Sequence, residues 1–281
     1  MSSAKILKFG TSSIGKVGSN VIGFDQYFQA SRFITVANIT DTTQQDAVKY
    51  LVQELVDNNL MSKFSFIYPM VGGGATRHSY NLVDTSKFQL TFSGGWTHST
   101  TGATPNDTNT YANTGFNPVT AGLTYNNNHL SYYSRTTAES TVGNNYDMGS
   151  GNSTQGGTAL FVRRFFGGSN SAYDTGTAVS NRLIFSNTDG RGFYIGSSIL
   201  TNIGYYYKNG VQQATKNPLT SVAMQNYNYY LGAFNEGNTG NVYYSNKECA
   251  FASAGQGLTP SEMVIFSSIV QQFQTILGRN V

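Results

Sequence analysis

A chain of 281 residues is long enough for one large β domain, or for a domain with a small appendage. Charged residues make up only 11%, against about 25% in a typical soluble domain, and the formal net charge of +3 is too small to carry the whole molecule onto nucleic acid. The single cysteine, Cys249, excludes an intrachain disulfide and fits assembly in a reducing cytoplasm, where a small apolar filler is its expected role.

Residues 1–40 open with Lys5, Lys8 and Lys16 ahead of the first acid, Asp25. The runs AKILKF and VIGFDQYFQASRFITVAN read as short β-like segments broken by Gly and Ser. Segments of this kind are ordered when docked, so 1–40 is expected to be an extended basic arm that binds other proteins. No secretory signal is expected, because Gly, Ser and Lys interrupt any apolar run after the first lysines, and no membrane-spanning run is expected, because no stretch approaches about 18 apolar residues.

Over 42–60 the period is helical. Asp41 caps the segment with Gln44 at the capping-box position, and Val48, Leu51, Val52, Leu55 and Val56 form one apolar stripe. From Phe64 the period changes to two. Strands are expected at 64–71, 88–92, 129–135, 159–166, 182–186, 191–196, 203–209, 228–234 and 248–254. Asn209-Gly210 is the clearest hairpin turn, since both positions tolerate positive φ. Many short strands without intervening helices imply an antiparallel sandwich or barrel. The chain closes on a second helix: Thr259-Pro260-Ser261-Glu262 caps it, Phe266, Ile269, Val270 and Phe273 line one face, and Gly278-Arg279 ends it.

The stretch 92–118, FSGGWTHSTTGATPNDTNTYANTGFNP, holds the only tryptophan amid polar turn residues with almost no charge. Together with IYPMVGG (67–73), LSYYSRT (130–136) and YLGAFNEGN (230–238), it resembles a group of tailed-bacteriophage virion proteins. The hairpin IGYYYKNGVQQAT and the final YYSNKECAFASAGQGLTPSEMVIFSSIVQQFQTILGR are similar to the concanavalin A-like, laminin-G-like jelly rolls. The resemblance spans 42–281. It implies a mainly β chain: an antiparallel jelly-roll sandwich at 41–281 with two flanking amphipathic helices; the extended arm expected at 1–40 lies outside the resemblance. It further implies a virion structural or fibre protein, assembled in the host cytoplasm as a homo-oligomer, a trimer by analogy. Its partners would be other virion proteins and host-surface glycans, and it would need no cofactor.

Catalytic chemistry finds little support in the residues. Gly10, Gly15 and Lys16 have phosphate-loop spacing, but Val17 stands where a magnesium-binding hydroxyl is required and no parallel α/β pattern follows. Glycan hydrolysis needs two facing carboxylates. None of the β runs carries such a pair, and Glu139, Asp147, Glu236 and Glu248 lie in separate segments. His78, His98 and His129 are too scattered to read as a metal site, and each is expected to be a satisfied hydrogen-bonding residue. Asn106-Asp107-Thr108-Asn109 offers oxygens for calcium, yet one carboxylate makes a poor site and an Asx turn is the simpler reading. Sugar binding fits better, because rings, amides and hydroxyls are what loops 94–117 and 143–157 supply. The expected platform is Trp96, His98 and Tyr111, with Asn106 and Asp107 beside it. A receptor-recognition lectin and a polysaccharide depolymerase are the alternatives to a structural virion protein.

Overall fold

The computed structural model describes residues 6–9, 12–16, 22–139, 145–152, 155–165, 168–176 and 179–281. Two antiparallel sheets stack into a sandwich, and a layer of helices covers the outside of one of them. The helix-side sheet runs, in spatial order, Val211–Lys216, Ile203–Lys208, Gly192–Ile199, Asn128–Ser134 and Cys249–Gly255. Phe64–Tyr68 also pairs with Cys249–Gly255. The second, outer sheet runs Leu183–Ser186, Ser169–Asp174, Gly156–Phe165, Met148–Asn152, Tyr230–Leu231, Tyr111–Asn113 and Thr91–Ser93. One pairing is parallel, where Ala233–Glu236 joins Met148–Asn152.

The period of two explains the layering. In Asn128–Ser134, Leu130 and Tyr132 enter the core between the sheets, while Tyr133 enters the core beneath the helices. The strand is therefore buried along its whole length. Cys249 lies in the inter-sheet core, as expected of a small apolar filler, and burial pushes its thiol pKa up. The hairpin at 209–210 forms as its residues dictate: Asn209 has φ 50° and Gly210 φ 78°.

The two expected helices are present. The first, Thr42–Asp57, is capped by Asp41, whose side chain accepts from Gln44 N. The last, Pro260–Ile276, carries a complete capping box between Thr259 and Glu262. Their stripes, Val48, Leu51, Val52 and Leu55 against Phe266, Ile269, Val270 and Phe273, share one core with Phe193 and Phe251 of the sheet.

The N-terminal region departs from the expected arm. Ile6–Phe9 and Ser12–Lys16 pair as an antiparallel hairpin, and Ile22–Val36 is a helix, not a β-like run. Ala30, Phe33 and Ala37 recur at helical spacing and are buried with Ile39 in the helix-layer core, so burial of that stripe overrides the local β propensity. The phosphate-loop spacing also dissolves. Gly15 and Lys16 lie within a hairpin strand instead of a turn into a helix, and Gly10 and Val17 fall outside the described residues. Among the described residues, no helix is long and apolar enough to cross a membrane.

Candidate functional site

The polar stretch 92–118 is not one long loop. Thr91–Ser93 and Tyr111–Asn113 pair with each other at the edge of the outer sheet, while Thr97–His98 and Ala103–Thr104 pair at the edge of the helix-side sheet. The stretch thus links the two sheets, and its residues divide between the sandwich interior and the outside.

Trp96 goes inward. Its indole packs on the inter-sheet core, edge-on to Phe92 at 5.3 Å, and Nε1 donates to the Tyr111 carbonyl at 3.2 Å. Gly232, at φ 72°, lies against the ring: a Cβ there would come within 2.4 Å of the indole. The tryptophan is thus a bonded, wedged packing residue. His98 stacks alongside it at 6.2 Å between centroids. Its Nδ1 lies 2.9 Å from Nδ1 of His78, so one ring donates and the other accepts. His78 is buried in the short helix Ala75–His78, and its Nε2 has no partner among the described residues. Burial, with His98 and Arg279 nearby, lowers its pKa to about 3; burial also lowers that of His98. His129 is satisfied on both nitrogens, by the Gln256 carbonyl at 2.6 Å and Ser253 Oγ at 3.2 Å, and burial takes its pKa down to about 4.

Arg279 explains the charge beside His78. It is fully buried, and its guanidinium donates to Gln274 Oε1 and to the carbonyls of Pro69, Met70, Thr100 and Ala250. Burial, with Arg135 nearby, brings its pKa down to about 9.

Asn106 and Asp107 also separate from the platform. Asn106 Oδ1 accepts from the backbone of Thr108 and Asn109, each at 3.0 Å, forming the expected Asx turn. Asp107 turns toward a buried polar node. Its Oδ1 accepts from Asn145 Nδ2, which also donates to the Tyr244 carbonyl at 2.6 Å. Beside them Asp147 accepts from Ser245 Oγ and, at 2.6 Å, from Val162 N. Lys247 is buried against the two acids, and desolvation lowers its pKa. Burial raises both carboxyls despite that lysine. Sequence spacing could not reveal this node, because its members come from four separate segments, at 107, 145–147, 162 and 244–247. Asp147 spends both oxygens on internal donors, which suits it to holding loops together. Glu248 is likewise engaged, by Thr101 Oγ1 at 2.5 Å and Arg135 Nε at 3.5 Å. Among the described residues, no group of three or more His, Cys, Asp or Glu could hold a metal ion.

Tyr111 alone of the expected platform faces outward. Ala112 and Leu231 enter the inter-sheet core, so alternation puts Tyr111, Asn113 and Tyr230 on the opposite face. Phe92 packs inward, which places Thr91 and Ser93 on that face too. There Tyr111 and Tyr230 stack with centroids 4.6 Å apart and planes 14° from parallel. Both rings are half-buried. Thr91, Asn113 and Tyr230 form one cross-strand row, with Ser93 opposite Tyr111. Of the second expected loop, 143–157, residues 143–144 and 153–154 lie outside the described residues. Met148–Asn152 and Gly156–Phe165 are paired strands of the outer sheet.

No family model matches the chain, and no curated protein does. Solved structures with a similar fold do exist. The chain is similar to the binding domain of botulinum neurotoxin DC in complex with rat synaptotagmin II, at 9% identity over 75% of this chain and 52% of that one, with a TM-score of 0.51. The receptor binding domain of the botulinum neurotoxin C/D mosaic serotype aligns at 13% identity over 74% and 51%, with a TM-score of 0.49. Domain 4 of AbnA, a GH43 extracellular arabinanase from Geobacillus stearothermophilus, in complex with arabinotriose, aligns at 11% identity over 73% and 98%, with a TM-score of 0.46. The chain spans about half the length of the neurotoxin domains that it matches. At such identities the likeness speaks to architecture, and the architecture is a mainly β, antiparallel sandwich of two sheets.

Proposed function

We propose that this chain is an adhesive structural component of a tailed-bacteriophage virion. In this reading it assembles in the host cytoplasm as a homo-oligomer, a trimer by analogy. Its N-terminal segment docks on other virion proteins, its sandwich contacts host-surface glycans, and it turns nothing over. The observation that carries the reading is the asymmetry of the sandwich. Helices cover the outside of one sheet. The corresponding side of the other sheet presents half-exposed rings, amides and hydroxyls at the edge formed by 91–93, 111–113 and 230–231. A low-charge, hydroxyl-rich face adheres to other hydroxyl-rich surfaces through hydrogen bonds and stacking, with little electrostatic steering. The virion setting draws its support from the motifs at 67–73, 92–118, 130–136 and 230–238. The internal bonding of Asp147 and Glu248 favours adhesion over hydrolysis.

Purified phage particles and purified chain test this together. Mass spectrometry of the particles should find the chain in stoichiometric amount. Incubation with host-surface polysaccharide should retain the chain on the polymer without releasing oligosaccharides. Absence from particles would sink the structural role, and released oligosaccharides would replace adhesion with depolymerisation.

A further inference from the structure

We propose that the stacked Tyr111–Tyr230 pair is a binding subsite for neutral glycans, the ligand lying along the row Thr91, Asn113, Tyr230 on the open face of the outer sheet. The inference rests on the adhesive reading above and gives it an address that the tryptophan does not. Trp96 has its N–H bonded to the Tyr111 carbonyl, its ring edge against Gly232 and its side chain packed on the inter-sheet core, so it is committed to packing. The tyrosines meet in the opposite geometry. They come from neighbouring strands paired through Asn113 and Tyr230, and they stack nearly parallel at 4.6 Å. Stacking holds both rings at fixed orientation, so little rotamer freedom is lost when a ligand lies against them. The C–H face of a pyranose packs on such a ring as an apolar surface, while its rim of hydroxyls seeks partners.

Those partners are in place. Asn113 Oδ1 accepts from Gly115 N at 2.9 Å and from Asn228 Nδ2 at 3.4 Å. These bonds fix the amide plane and leave its Nδ2 hydrogens with no described partner, next to Tyr230 in the row. The hydroxyls of Thr91 and Ser93 flank the same patch on the edge strand. Neighbouring strands lie about 4.8 Å apart, so the row from Thr91 to Tyr230 spans roughly 10 Å, enough for a short run of sugar units. Rings, an amide and hydroxyls make up this patch, with no charged side chain among them. That chemistry selects a neutral glycan over a uronate or sialylated one, which would call for a cation.

The test is binding of the full-length chain to immobilised glucan, galactan and mannan oligosaccharides, with uronic-acid oligomers as the charged arm, at low and high salt. Wild type, Tyr230→Ala, Tyr230→Phe, Tyr111→Ala and Trp96→Phe are compared, with thermal melts to check folding. The expected result is neutral-glycan binding that is insensitive to salt. It should weaken at least tenfold in Tyr230→Ala and Tyr111→Ala and persist in Tyr230→Phe and Trp96→Phe. Wild-type binding unchanged by either tyrosine truncation would overturn the subsite and leave the adhesive reading standing. Preference for the uronic-acid arm, lost in high salt, would overturn the neutral class. Failure of the wild type to bind any arm would overturn the subsite and the glycan reading together.

Discussion

At the scale of single residues, the chain places several titratable groups where burial decides their charge. His78 and His129 are both neutral in the folded state, with pKa values taken down to about 3 and about 4 from 6.5. A histidine depressed in this way contributes stability that is complete above its unfolded value of 6.5, and that contribution drains as pH falls toward the folded one. Between pH 6.5 and 4 the unfolded chain binds protons at these positions that the native chain refuses. Each ring then costs about 1.4 kcal/mol per pH unit. For His78 the penalty also has a geometric form: with its Nδ1 at 2.9 Å from that of His98 and Arg279 nearby, two protonated rings would oppose N–H to N–H. Urea denaturation at pH 7.5 and 4.5 gives the measurement. Wild type should lose about 2–3 kcal/mol more over that interval than His129→Gln, which has one fewer ring to protonate. Equal losses would mean that His129 titrates normally in the fold.

At the scale of elements, the ends of the last helix are written most plainly. Thr259 Oγ1 accepts from Glu262 N at 3.3 Å, and Glu262 Oε2 accepts from Thr259 N at 2.7 Å. Thr259→Ala is expected to lower stability by about 1 kcal/mol, and Thr259→Ser to restore most of it. Unchanged denaturation in the alanine variant would show that packing of Phe266 and Phe273 alone holds the helix. The two helices with a clean stripe were legible because their apolar residues repeat at one period. The helix at Ile22–Val36 was not, because its aromatic and β-branched residues read as strand until Ala30, Phe33 and Ala37 are seen to share a buried side. Met148–Asn152 escaped for the converse reason. Its glycines lack β propensity, yet Gly151 lies where a Cβ would meet the Phe234 ring at 2.6 Å. Residues 92–118 read as loop because their strands are only two or three residues long. Tyr111 was legible as a surface ring, whereas its partner Tyr230 sits in a distant segment that only sheet pairing brings alongside.

At the scale of the molecule, the helical layer bears on what the N-terminal region does. The expected boundary at residue 40 runs through packed structure, since Ala30, Phe33, Ala37 and Ile39 are all buried in the core shared by the helices and the sheet. Burying an aromatic or branched apolar side chain is worth about 1.5–3 kcal/mol, so deleting 1–40 removes on the order of 5 kcal/mol or more of packing along with any docking segment. Such a deletion confounds a failure to assemble with a failure to fold. Deletion of 1–21 separates them, because the buried positions Ala30, Phe33, Ala37 and Ile39 all remain. The shorter deletion should melt close to the full chain, keep glycan binding, and fail to enter particles in a complementation assay. The deletion of 1–40 should melt well below both. Particle incorporation of the chain lacking 1–21 at the wild-type level would remove the docking role from the N-terminal segment and transfer it to the sandwich itself.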